Sequence, residues 1–249
     1  MTISIKSERE INKMRQAGKI VALVLAVLID EIKPGLKTEK LDVIAESEIK
    51  RLGGIPSFKG YRGYPASICV SINDEVVHGI PGPRTLEEGD IVSLDIGAIY
   101  QGYQGDAART VGVGAVSIQA EALMQATEGA LRAGIMMARD RNHLGDISAA
   151  VQGFAESKGF SVVREYTGHG IGSQMHEEPL IPNFGIAGTG LELKKGMTLA
   201  IEPMLNVGDW RTRLDTNMWT VHTADGRISA HFENTIAITD GEPEILTKV

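Results

Sequence analysis

Two stretches, "EGDIVSLDIGA" (Glu88–Ala98) and "KGMTLAIEPML" (Lys195–Leu205), decide how this chain folds. Laid over each other, Gly89 falls on Gly196 and Asp95 on Glu202, a separation of 107 residues in both cases. Side chains alternate along a strand, so Val92, Leu94 and Ile96 share one face and Ser93 and Asp95 the other. In the second stretch Leu199 and Ile201 face one way, Ala200 and Glu202 the other. Each strand therefore carries one carboxylate among small neighbours on an otherwise apolar segment. Charged residues are almost never fully buried without a partner, so these two require an explanation.

The likeness extends outward. The helical pattern "TEKLDVIAESEIKRLGG" turns at Gly53 and "GDISAAVQGFAESKGF" at Gly159, 106 residues on. A longer helix precedes each, over Ser7–Ile32 and about Ser117–Arg139. The first opens with a capping box, Ser7-Glu8-Arg9-Glu10. Ile11, Met14, Gly18, Val21, Leu25 and Leu28 follow at helical spacing, and Pro34-Gly35 ends it. The order helix, helix, strands thus occurs twice, over about 7–112 and 117–240. An α+β fold is expected, a single catalytic domain over 1–249 whose related halves each cover an antiparallel sheet with helices.

A second carboxylate follows in each half. "GYQGDAARTVGV" places Asp106 eleven residues after Asp95, and "ISAHFENTIAI" places Glu233 thirty-one after Glu202. The later excursion is the longer and holds Trp210 and Trp219. If the halves face each other, four carboxylates converge, and like charges that close require cations. Arg109 is the one basic residue beside them, and alternation turns it to the face opposite Asp106. Divalent metal solves the problem. His169 in "YTGHGIGSQMHEEP" (Tyr166–Pro179) is the natural fifth ligand, and its glycine flanks predict a backbone lying close to the metals. Four carboxylates and an imidazole suit two ions about 3.5–4 Å apart.

Composition narrows the alternatives. With 249 residues, 43% hydrophobic and 23% charged, the chain has ample core, and a net charge of -7 argues against direct nucleic-acid binding. The lone Cys69 excludes an internal disulfide and suits a reducing compartment. "IVALVLAVLI" (Ile20–Ile29) is too short for a bilayer, which needs roughly twenty residues, and lacks the flanks of a signal peptide. Serine-hydrolase, zincin and phosphate-loop motifs are missing, and "GHGIGS" has Ser173 in the third glycine's place of a dinucleotide fingerprint.

From about Ser7 to Thr247 the sequence resembles the type I methionine aminopeptidases of the bacterial kind. The resemblance is carried by "GYPASICVSIN", "VHGIPG", "VSLDIGA…GDAARTV", "YTGHGIGSQMHEEP", "GMTLAIEPM" and "ISAHFENTIAIT". It implies the pita-bread fold and two divalent metal ions (Co, Mn, Fe or Zn) held by Asp95, Asp106, His169, Glu202 and Glu233. Asp106 and Glu233 would bridge them, Asp95 chelate one, and His169 and Glu202 complete the other. It implies removal of the initiator methionine when the second residue is small. Glu202 would serve as base, His176 would face the oxyanion and His78 the scissile amide. The methionine side chain would lie among Phe58, Tyr61, Tyr64, Cys69, Met175 and Trp219. Partners would be the N-termini of nascent polypeptides, at the ribosome, for a cytoplasmic monomer without membrane attachment.

Four positions depart from the family's habit. Met175 stands for a common phenylalanine, Ala200 for threonine, and His231 and Asn234 for glutamine and histidine. These changes bear on pocket shape and metal preference, and none removes a ligand. The alternatives are a proline-directed aminopeptidase or dipeptidase on the same fold, and a non-catalytic binding paralogue.

Overall fold

The computed structural model describes residues 3–248. The first half contributes α1 (Glu8–Glu31), α2 (Thr38–Arg51), β1 (Ile55–Pro56), β2 (Ile68–Ile72), β3 (Glu75–Val77), β4 (Ile91–Tyr100) and β5 (Tyr103–Gly112). The second begins with α3 (Ile118–Met137) and α4 (Leu144–Ser157). Strands β6 (Ser161–Val162), β7 (Thr167–Gly170), β8 (Glu177–Pro182), β9 (Thr198–Ile201) and β10 (Met204–Asn206) come next. The chain ends with β11 (Thr212–Leu214), β12 (Val221–Thr223), β13 (Ser229–His231), β14 (Asn234–Ala237) and β15 (Glu244–Ile245). Pairing between the described strands is antiparallel throughout.

Helix α1 starts where the capping box predicts. The Ser7 N–H and hydroxyl both donate to the Glu10 carboxylate at 2.7 Å, and the Tyr103 hydroxyl adds a third bond at 2.7 Å. These bonds, Tyr103 first and then Ser7, hold the Glu10 carboxyl down at about 2, so the charge at the helix's N-terminus persists across neutral pH. The helix then lies directly on β5. A Cβ at Gly18 would stand 2.3 Å from the Leu246 carbonyl oxygen, and one at Gly105 only 2.7 Å from the Gly18 nitrogen. The glycines permit this backbone contact.

On the outer side, α1 and α2 bury Val21, Leu25, Leu28, Leu41 and Ile49 in one core with Val70, Val92, Leu94 and Ile96. In the second half, Leu131, Ile135 and Ile147 from α3 and α4 pack with Leu199, Ile201 and Ile236. Each such side chain contributes about 1.5–3 kcal/mol when fully buried. Because these alternate positions face the helices, Ser93 and Asp95, like Ala200, face away from them. The apolar cores thereby fix which way the chemistry points.

Strand β4 is the centre of the first sheet. β5 runs along one edge, and β2 and β1 lie end to end along the other. The second half forms a five-stranded sheet in the order β15-β14-β9-β7-β8. The Trp219 excursion closes as the β11–β12 hairpin, which adds to β3 of the first half. Hydrogen bonds cross between the halves beside the central strands. The Asp106 N–H donates to Thr235 Oγ1 at 2.9 Å, and the Thr235 hydroxyl donates back to the Asp106 carbonyl at 2.8 Å.

The strand expected to run through Glu202 is interrupted. β9 ends at Ile201 and β10 begins at Met204, because Pro203 has no N–H with which to continue the ladder. Phe232 and Glu233 likewise fall between β13 and β14. Among the described residues no helix is long and apolar enough to cross a membrane.

Candidate active site

Asp95 lies within β4 opposite Ala108 on one side and Cys69 on the other, and Asp106 lies within β5 opposite Gly97. Both side chains leave the inner face of an unbroken ladder. Glu202 and Glu233 approach from the two chain breaks of the second half, and His169 from the middle of β7. The cleft where they meet encloses about 660 Å³ including its mouth. It is lined by all five expected ligands, by His78 and His176, and by Phe58, Tyr61, Tyr64, Cys69 and Trp219.

The donor atoms are close and short of partners. Asp106, His169 and Glu233 each offer an atom within 4.8 Å of the others. Asp95 Oδ1, Asp106 Oδ1 and Glu233 Oε1 are buried with no hydrogen-bond partner. His169 Nδ1 lies 2.8 Å from the Gly170 carbonyl oxygen. A carbonyl only accepts, so Nδ1 carries the proton and Nε2 is left as a bare lone pair. That Nε2 stands 3.5 Å from Glu202 Oε1. Two lone pairs facing each other in a dry site need a proton or a cation between them.

Electrostatics says the same. Burial pushes the Asp95 carboxyl up to about 7. Asp106, Glu202 and Glu233 are pushed well above the carboxylate range, by burial first and then by neighbouring carboxylate charge, that of Asp95 for Asp106 and Glu202 and that of Asp106 for Glu233. No lysine lines the cleft among the described residues. The Arg109 guanidinium points away, as strand alternation predicts, donating to the carbonyls of Ala108 at 2.7 Å and Glu233 at 2.6 Å. Divalent ions would keep four carboxylates ionised at neutral pH, and the oxygen-rich donor set fits them.

Burial lowers His169 to about 3 and His78 to about 4, so both imidazoles are neutral at physiological pH. His78 holds a left-handed backbone conformation, φ 61°, which costs a non-glycine residue about 1–3 kcal/mol and aims its ring into the cleft. His176 sits at the exposed rim, its ring 4.3 Å from that of His169 and stacked on Tyr61 at 5.4 Å. The Tyr61 oxygen and His176 Nδ1 are 2.8 Å apart. With the phenol as donor, the imidazole proton lies on Nε2, where it can be given to a substrate oxygen. The Lys6 ammonium, 2.5 Å from Glu177 Oε2, anchors the next residue of this loop.

Tyr64 and Trp219 meet edge to face at 5.1 Å, forming part of an apolar wall beside the donors. Cys69 belongs to that wall and not to the chemistry, since burial, with the Asp95 charge second, pushes its thiol well up.

Met175, expected on the pocket wall, does not itself line the cleft. It packs behind the wall in one cluster with Phe58, Tyr64, Cys69 and Trp219, its Cε 2.9 Å from where a Cβ on Gly97 would be. The glycines around His169 serve close packing within the sheet. A Cβ on Gly168 would stand 2.4 Å from the Ala200 carbonyl oxygen, and one on Gly170 2.2 Å from that of Glu178. Arg62 escaped the sequence reading, and His231 entered it only as a departure from the family's habit. Arg62 reaches the rim over the Tyr61 ring at 5.3 Å, with only its place beside the tyrosine as a hint. His231 points at the glutamates, and its position two before Glu233 on an alternating segment was the available signal.

Helix-covered halves closing on a cluster of carboxylates and an imidazole define a metal-dependent hydrolase of the pita-bread class. The chain belongs to metallopeptidase family M24, whose model matches residues 12–240. It is 54% identical to a methionine aminopeptidase of Clostridium acetobutylicum over 98% of each chain. The crystal structure of methionine aminopeptidase from Thermotoga maritima superposes with a TM-score of 0.98 at 47% identity, covering 100% of both chains. A prolidase from Pyrococcus furiosus matches 98% of this chain but 65% of its own length, with a TM-score of 0.81 and 22% identity, and so shares the fold.

Proposed function

We propose that this chain is a dinuclear metal-dependent aminopeptidase that removes the N-terminal methionine from polypeptides with a small second residue. The observation that carries it is the convergence of five candidate ligand side chains, three of them with a buried oxygen that has no hydrogen-bond partner, beside an apolar and aromatic wall. The full-length likeness to methionine aminopeptidases supports the substrate. Asp95, Asp106, His169, Glu202 and Glu233 would hold the ions. When bound, two divalent ions supply an activated water and Lewis acidity toward the scissile carbonyl.

The chain's own groups do the rest. Glu202 receives the proton of the attacking water. His176 donates from Nε2 to the oxygen that becomes negative in the tetrahedral intermediate, and Tyr61 holds the ring in that tautomer. His78, neutral and fixed by its backbone, contacts the scissile amide. Phe58, Tyr61, Tyr64, Cys69 and Trp219 receive the methionine side chain, with soft aromatic and sulfur contacts suited to a thioether. Such a substrate places the work in the cytoplasm, on nascent chains at the ribosome. The acting unit in this reading is the monomer.

The test is hydrolysis of Met-Ala-Ser against Ala-Pro-Ala by protein loaded with Co, Mn or Fe. Release of methionine is expected, lost on chelation and restored by added metal; preference for the proline bond sinks the reading. Asp106→Ala should lower kcat by about 10⁴-fold, as loss of an essential catalytic group does. Activity near wild type in that variant refutes the dinuclear account.

A further inference from the structure

We propose that His231 is an additional metal ligand, giving this centre two imidazoles in place of one; the inference rests on the metal-dependent reading above. His231 is the last residue of β13, and its backbone is held from both sides by one hydroxyl. Its N–H donates to Thr110 Oγ1 at 2.9 Å, and that hydroxyl donates to the His231 carbonyl at 2.8 Å. The ring is 2% exposed, and Nε2 has no hydrogen-bond partner. A buried imidazole nitrogen left bare is costly unless something occupies the space in front of it.

Nε2 faces two carboxylates. It stands 3.7 Å from Glu202 Oε2 and 4.0 Å from Glu233 Oε2. Both separations are too long for a hydrogen bond. Both are within reach of a shared ion, because two ligand bonds of about 2.1 Å span at most about 4.2 Å. Glu202, His231 and Glu233 each offer a donor atom within 4.8 Å of the other two. Glu202 is thereby placed between two rings, with Oε1 turned toward His169 and Oε2 toward His231. An amide at position 231 could donate a hydrogen bond to Glu202 without supplying an imidazole nitrogen. The histidine adds a donor that binds transition ions more readily than carboxylate oxygen does. The ion beside Glu202 is accordingly held more tightly, with a bias toward Co or Zn over Mn.

The test loads the full chain with two equivalents of Co(II) and counts coordinated rings by X-ray absorption and by hyperfine-shifted imidazole protons in NMR. Two rings per protein are expected in the wild type and one in His231→Gln, with a loss of at least tenfold in affinity for one ion by calorimetry. His231→Gln keeps a hydrogen-bond donor of similar length, so a merely positioning role would leave both ring count and affinity unchanged, and that result overturns the proposal. Should the variant fold poorly, the NMR ring count of the wild type decides alone: one ring overturns it. Full Co(II) uptake with one ring refutes His231 as a ligand only. Failure of the wild type to take up metal refutes the metal-dependent reading itself.

Discussion

The two halves deliver the same charge by different backbones. In the first, Asp95 and Asp106 stand inside long ladders, β4 and β5 pairing without interruption from Ile91 to Tyr100. In the second, Glu202 and Glu233 stand in gaps, between β9 and β10 and between β13 and β14. The short acid sits where the strand is continuous, and the acid longer by one methylene sits where the chain leaves the sheet. Side-chain length compensates for backbone position, so the halves are equivalent in chemistry and unequal in construction.

Exchanging lengths attacks that comparison most directly. Glu202→Asp withdraws a carboxylate by about one bond length, and misplacement of about 1 Å costs on the order of 100-fold in rate. Steady-state kinetics on Met-Ala-Ser should show this loss in kcat, and Asp95→Glu, overfilling a continuous strand, should do comparable harm. Wild-type rates in Glu202→Asp would break the argument from length.

A smaller effect concerns pH. Folding raises the Asp95 carboxyl from 3.8 to about 7, and Asp106, Glu202 and Glu233 shift in the same direction. A carboxyl raised on folding contributes stability that is present below its unfolded pKa and lost as pH rises through the folded one. The metal-free protein should therefore melt several degrees lower at pH 8 than at pH 5. Loading with Co or Mn should remove most of that slope. A metal-free Tm independent of pH would mean that burial and mutual charge do not raise these acids on folding. The smallest effect is expected from Met175→Leu: a volume-conserving change behind the cleft wall should alter kcat/KM by less than about threefold and cost under about 1.5 kcal/mol in urea unfolding. A large rise in KM would return Met175 to the pocket.

Much of this was legible in the residues, for identifiable reasons. Asp95 and Asp106 stood out because a period of two runs undisturbed through β4 and β5, so their facing could be read directly. Glu202 and Glu233 were found by matching the halves, but the breaks beneath them were not, although Pro203 signals one of them. The glycines of β7 show what a single strand hides. Their purpose lies in Ala200 and Glu178, neighbours set by the order of the five-stranded sheet, which no local pattern encodes. The packing of Met175 against Phe58 and Gly97 is hidden for the same reason, since it joins segments far apart in sequence.

The reciprocal bonds between Thr235 and the backbone of Asp106 carry a further consequence. They stitch the halves together at a residue of the proposed metal site, so the seam of the molecule and that site are one place. Parting the halves to admit a peptide would break these bonds at the site itself. Entry is left to the rim, and each half is bound to evolve in step with the other.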